Sequence, residues 1–242
     1  MKYFGQILMA VVGLAVLHTL AMGANNSADS SGNQLTQGGQ WYEHPAITAE
    51  PVPGIQAPDG TLLTLQPGSF LYLEGNSTLH KYQMNAKTLE GSAVVQASAS
   101  ESLMKALQAS KVKAMTLLIP LKTLNSKDSG LDKNAYKALK AKDDSQIKFE
   151  LTGETLKAGK TPGSYVMTAL GVVTVAGESA LVTLTADTTF QGHQVRLRGV
   201  QKLKMSDFKV TPPTMTIVII SVTCTDEIEI HYDVTFAAKT PE

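Results

Sequence analysis

The sequence predicts an all-β fold of about eight antiparallel strands with one or two short helices, and three features point to it. First, two long stretches alternate with period two. Val195, Leu197, Gly199, Gln201, Leu203 and Met205 share one face, while Arg196, Arg198, Lys202 and Lys204 face water. Ile228, Ile230, Tyr232, Val234 and Phe236 likewise alternate with Glu227, Glu229, His231, Asp233 and Thr235. Successive side chains of a strand point to opposite faces, so this spacing is a strand signature. Second, weaker strand patterns lie around 70–74, 78–95, 112–121, 147–152, 165–175, 181–190 and 215–222. Third, strands do not alternate with helices, which argues against a doubly wound parallel sheet.

Only two segments have helical spacing. Leu103, Met104 and Leu107 follow a candidate cap at Ser100, and Leu131, Ala135, Ala138 and Leu139 fall on one helical face. Pattern alone admits a closed barrel or a two-sheet sandwich; closure has the advantage of removing exposed edges.

The 242 residues divide into three parts by composition. Residues 1–23 read as a secretory signal: Lys2, then an apolar stretch from Ile7 to Leu20, then small residues at Ala21 and Gly23. The stretch is shorter than a membrane-spanning helix needs. Residues 24–57 read as a flexible linker, polar at first (Asn25, Asn26, Ser27, Ser30, Ser31) and then punctuated by Pro45, Pro51 and Pro53. Residues 58–238 form the predicted β domain. Such a signal predicts an exported protein from which the segment is removed.

Charge excludes one class of function. Lys plus Arg and Asp plus Glu are both 21, without the basic excess that nucleic-acid binding requires. The single cysteine, Cys224, permits no internal disulfide and reads as a small buried hydrophobe. No metal is expected, because His44, His80, His193 and His231 have no partner at ligand spacing. His231, on the polar face of its strand, reads as solvated. No nucleophile elbow, phosphate loop or catalytic constellation is present, so the protein is read as a non-enzyme without a cofactor.

Four segments, in order, resemble the YceI-like domain family. They are Ser77-Thr78-Leu79-His80 with Tyr82; Ile119-Pro120-Leu121 through Ser126; Ile147-Lys148-Phe149; and Met205-Ser206-Asp207-Phe208 running on to Pro212-Pro213. The resemblance implies a lipocalin-like, eight-stranded antiparallel barrel in the bacterial periplasm that binds a polyisoprenoid, quinone-like or other long amphiphilic lipid. That lipid is the expected partner, with transient membrane contact.

On this reading Leu197, Leu203, Ile230, Tyr232, Val234 and Phe236 line the barrel lumen. The motif residues His80, Asp207 and Phe208 are candidates near a polar head group, although an Asp before Phe and two prolines also suits a turn. Gly199 and Ala186, on the inward face, are expected to leave room for the ligand. The alternative from another class is a structural or interaction module of the cell envelope that holds no lipid.

Overall fold

The computed structural model describes residues 47–58, 60–97, 102–142, 145–217 and 220–238. The expected signal segment and the linker up to residue 46 lie outside them. The strands in chain order are β1 (Thr48–Glu50), β2 (Thr61–Leu65), β3 (Phe70–Ser77), β4 (Lys81–Ala86), β5 (Thr88–Val95), β6 (Val112–Pro120), β7 (Leu124–Asn125) and β8 (Gln146–Ala158). They continue with β9 (Tyr165–Val175), β10 (Glu178–Gln191), β11 (Gln194–Lys204), β12 (Thr214–Ile217) and β13 (Ile220–Ala238). Two helices interrupt them: α1 (Leu103–Gln108) and α2 (Ser129–Ala138).

The chain closes into an eight-stranded antiparallel barrel. β2 and β3 act as one path bent at residues 66–69, and β4 and β5 as another bent at Lys87. From β5 the wall runs through β6, β8, β9, β10, β11 and β13. It returns to β5 through β2, which pairs with β13 at Phe236↔Leu65 and with β5 at Thr61↔Val95. Closure pairs most of the strand edges that could template aggregation, although β10 and β11 pair only from Asp187↔Arg198 to Gln191↔Gln194.

Each helix lies at one end. α1 joins β5 to β6; Ser102, not the expected Ser100, caps it by accepting from Lys105 N, and it buries Ala106 and Leu107. α2 lies on the connection from β6 to β8, capped by Asp128, which accepts from Gly130 N and Leu131 N. It packs Ala135, Tyr136 and Leu139 onto one core cluster and Ala138 and Leu139 onto another.

The expected linker extends too far. Thr48–Glu50 pairs in parallel with Thr88–Glu90 at the corner where the β2/β3 path bends away. Ile47 and Ala49 pack against the main core cluster, and Val52 N donates to Ser92 Oγ at 2.9 Å. Prolines at 51 and 53 concealed this strand, because three residues are too few for a periodicity. A chain starting at Gln56 should therefore be less stable than one starting at Pro45 by roughly 1–2 kcal/mol, as loss of a packed segment usually costs. Urea denaturation of the two truncations measures the difference.

Candidate ligand-binding site

The inward faces of the strands do not meet across the barrel. They enclose a cavity of about 170 Å³. Its lining is apolar except for Glu154, Gln201 and the Tyr232 hydroxyl. Leu197, Leu203, Ile230, Tyr232, Val234 and Phe236 all line it, brought together because β11 and β13 pair in register at Val195↔Phe236, Leu197↔Val234, Gly199↔Tyr232, Gln201↔Ile230 and Leu203↔Ile228. Phe236 and Val234 sit deepest, at 2% and 3% exposure. Leu107 of α1 closes the lining at one end.

Small inward residues do not all create space. A Cβ on Gly199 would lie 2.4 Å from the Tyr232 hydroxyl oxygen and 2.6 Å from the Thr185 carbonyl oxygen. The phenol ring of Tyr232 fills the room expected at Gly199, and its hydroxyl donates to Thr185 O at 3.0 Å. Burial, with the Asp187 carboxylate adding, pushes that phenol up to about 12, so it stays a donor at any physiological pH. Ala186 does line open cavity.

Glu154 is the one carboxylate in the lining and is 8% exposed. The β6–β8 ladder runs only from Thr116↔Glu150 to Pro120↔Gln146. Beyond it, the Glu154 carboxylate accepts from Val112 N at 3.1 Å, replacing a ladder bond. Burial pushes its carboxyl up, opposed by that amide. Sequence reasoning missed this residue because its strand pattern is broken by a bulge between Leu151 and Gly153.

The three motif residues lie elsewhere. His80 is exposed in the β3–β4 turn, where its amide donates to Ser77 Oγ and its carbonyl accepts from the Ser77 hydroxyl. Thr78 Oγ1 accepts from Thr223 N. Asp207 is exposed in the 3-10 turn Met205–Phe208, and Phe208 is buried at 4% in the second core cluster. The carboxylate that holds this turn is Asp226, which accepts from Ser206 N and Ser206 Oγ. None of His80, Asp207 and Phe208 lines the cavity. In these segments the motif chemistry makes turns.

Several side chains outside the lining differ from their expected surroundings. Asp233 is only 3% exposed, and Arg196 and Arg198, expected simply to face water, converge on it. Arg196 is bidentate, at 2.6 and 2.7 Å, and Arg198 Nε donates at 2.8 Å. Burial pushes the carboxyl up, but the hydrogen bonds from Arg196 and Arg198 and their charges outweigh it and hold Asp233 low. His231 is packed rather than solvated: its ring stacks on Tyr72 with centroids 4.4 Å apart, and Nε2 lies 3.4 Å from Glu229. Cys224 is half-buried beside Tyr82, with its thiol pushed up by burial against an opposing hydrogen bond from Tyr82.

A model of the YceI-like domain matches residues 72–236. The chain belongs to the YceI-like domain family. Among solved structures, this YceI-like chain is similar to BcnA of Burkholderia cenocepacia, with 16% identity, 69% of this chain and 95% of that chain covered, and a TM-score of 0.51. It is similar too to a polyisoprenoid binding domain from Saccharophagus degradans implicated in plant cell wall breakdown. There the identity is 9%, with 74% of this chain and 99% of that chain covered and a TM-score of 0.51. At such identities the likeness shows the shared fold. No curated protein matches. Among the described residues of this YceI-like domain, no helix is long and apolar enough to cross a membrane, and no group of three His, Cys, Asp or Glu could hold a metal.

Proposed function

We propose that the barrel binds the apolar chain of a polyisoprenoid, quinone-like or similar long amphiphilic lipid in its lumen, and carries or stores it in the periplasm without chemistry. The observation that supports this most is the cavity itself. A void of about 170 Å³ left empty forfeits roughly 4 kcal/mol at about 24 cal/mol per Å³. Domains are stable by only about 5–15 kcal/mol in total, so a cavity of this cost suits an occupant.

The occupant's chemistry follows from the lining. An engineered apolar cavity of about 150 Å³ stays dry and binds benzene, and each buried methylene contributes about 0.8 kcal/mol. Leu197, Ile230, Val234 and Phe236 offer contact without polar selectivity, which suits a chain of repeated apolar units. Membership of the YceI-like family and the fold shared with a polyisoprenoid binding domain support the same reading. A lipid chain is nearly as well solvated in a bilayer as in such a lumen, so exchange between them is close to neutral, as a carrier needs.

Organic-solvent extraction of the protein purified from its own periplasm, followed by mass spectrometry, tests this. A stoichiometric lipid with a long isoprenoid or acyl chain is expected. Lipid-free protein that binds no added long-chain isoprenoid or fatty acid would leave the barrel as an interaction module of the envelope.

A further inference from the structure

The barrel wall is not sealed along its whole height. Strands β10 and β11 pair only from Asp187↔Arg198 to Gln191↔Gln194. Yet β10 stays paired with β9 down to Glu178↔Val175, and β11 with β13 down to Lys204↔Glu227. Both strands continue and the ladder between them does not. Where they part, the Tyr232 side chain lies across Gly199 and its hydroxyl takes the Thr185 carbonyl on β10.

Below that point the two strands border a slot. On the outside, three of the four large exposed hydrophobics among the described residues flank it: Leu181 at 64%, Val200 at 54%, and Leu170 at 40% on the adjoining strand β9, opposite Thr183. On the inside, Leu184, Gln201 and Leu203 line the cavity from the same two strands. Phe208 and Val210, both buried, and the Lys209–Glu178 ion pair at 2.8 Å bound its lower end. Apolar surface therefore runs from the outer wall to the lumen at this seam, whereas Leu107 of α1 closes the lining at one end of the barrel. Isolated exposed hydrophobics are ordinary, but a cluster beside an opening into an apolar cavity marks a binding route.

We propose that this slot is the portal of the barrel: a single isoprenoid or acyl chain, drawn from a bilayer against Leu181 and Val200, enters sideways between β10 and β11. The inference rests on the lumen reading above. The unpaired backbone edges of the two strands supply donors and acceptors that hold the polar head at the slot. Tyr232 sets the upper limit of the opening.

Uptake rate separates the portal from the lumen. In a Cys224→Ser background, the register of the paired segment carried downward puts Thr183→Cys opposite Lys202→Cys, and a short bis-maleimide bridges them across the slot. Bridging Gln191→Cys to Gln194→Cys staples the sealed part of the same seam as a control. Uptake of cis-parinaric acid from phosphatidylcholine vesicles, followed by its fluorescence, is expected to slow at least roughly tenfold with the first bridge and to stay unchanged with the second. Leu181→Asp with Val200→Asp needs no bridge. It should slow uptake similarly, since an apolar chain must pass unpaired charges, while final occupancy is unchanged. Wild-type rates in the bridged slot protein and in the double aspartate variant would overturn the portal and leave lumen binding intact. Absence of uptake by the unaltered protein would overturn both.

Discussion

Replacing Arg196 and Arg198 together by glutamine should destabilise the barrel by about 2–3 kcal/mol. Removing the partners of a buried charge costs about 3–5 kcal/mol when both sides are buried. Here only the carboxylate is, at 3%, while the guanidinium side chains are 46% and 37% exposed, so the lower figure applies. The pH dependence should reverse as well. In the native protein the Asp233 carboxyl is held below its ordinary value. Its contribution is complete above the ordinary carboxylate range, near about pH 4, and is lost as pH falls through the lowered value. Without the two cations, burial acts alone and raises the carboxyl, so the variant should lose stability as pH rises through that range. Urea denaturation at several pH values measures both effects; an unchanged profile would show that the clamp contributes nothing.

The second large effect is on binding. Ala169→Phe together with Leu197→Phe should keep the fold and abolish retention of a long-chain lipid. Both positions line the cavity and are only half-buried, so a ring can enter empty space. Enlarging a side chain in a filled core costs about 1–3 kcal/mol, and melting temperature should reveal any such penalty. Val234→Phe is a poorer probe, because Val234 is already 3% exposed and tightly packed. Glu229→Gln, on the outer face beside Lys202, should leave lipid content untouched. Lipid extracted per mole of protein is the readout.

How much of this was legible in the sequence varies with the physics involved. The alternation from Val195 to Leu203 and from Ile228 to Phe236 marks two strands and separates their two faces, because one residue of slip would put charges in the core; that the two strands pair is a tertiary fact it does not carry. The cavity lining on those strands follows from the same parity. The features missed depend on contacts between segments far apart in the chain. Nothing near Gly199 says that Tyr232 will fill its space, and nothing near Arg196 says that Asp233 will be buried beneath it. β1 was hidden by its brevity, and Glu154 by a bulge. The slot arises where two regular strands part, which no periodicity reports. Helix α2 was anticipated from Leu131, Ala135, Ala138 and Leu139. Its anchor, Asp132 accepting from Asn125 Nδ2, Ser126 N and Ser126 Oγ, is a tertiary contact that spacing alone does not reveal.

The central claim is that the lumen between β11, β13 and the facing strands holds an apolar chain. A crystal structure of the protein purified from its native cells, without added lipid, tests it most directly. Continuous elongated density in contact with Leu197, Ile230 and Val234 is the expected result. A lumen without such density, in protein from which extraction also recovers no lipid, would contradict the account.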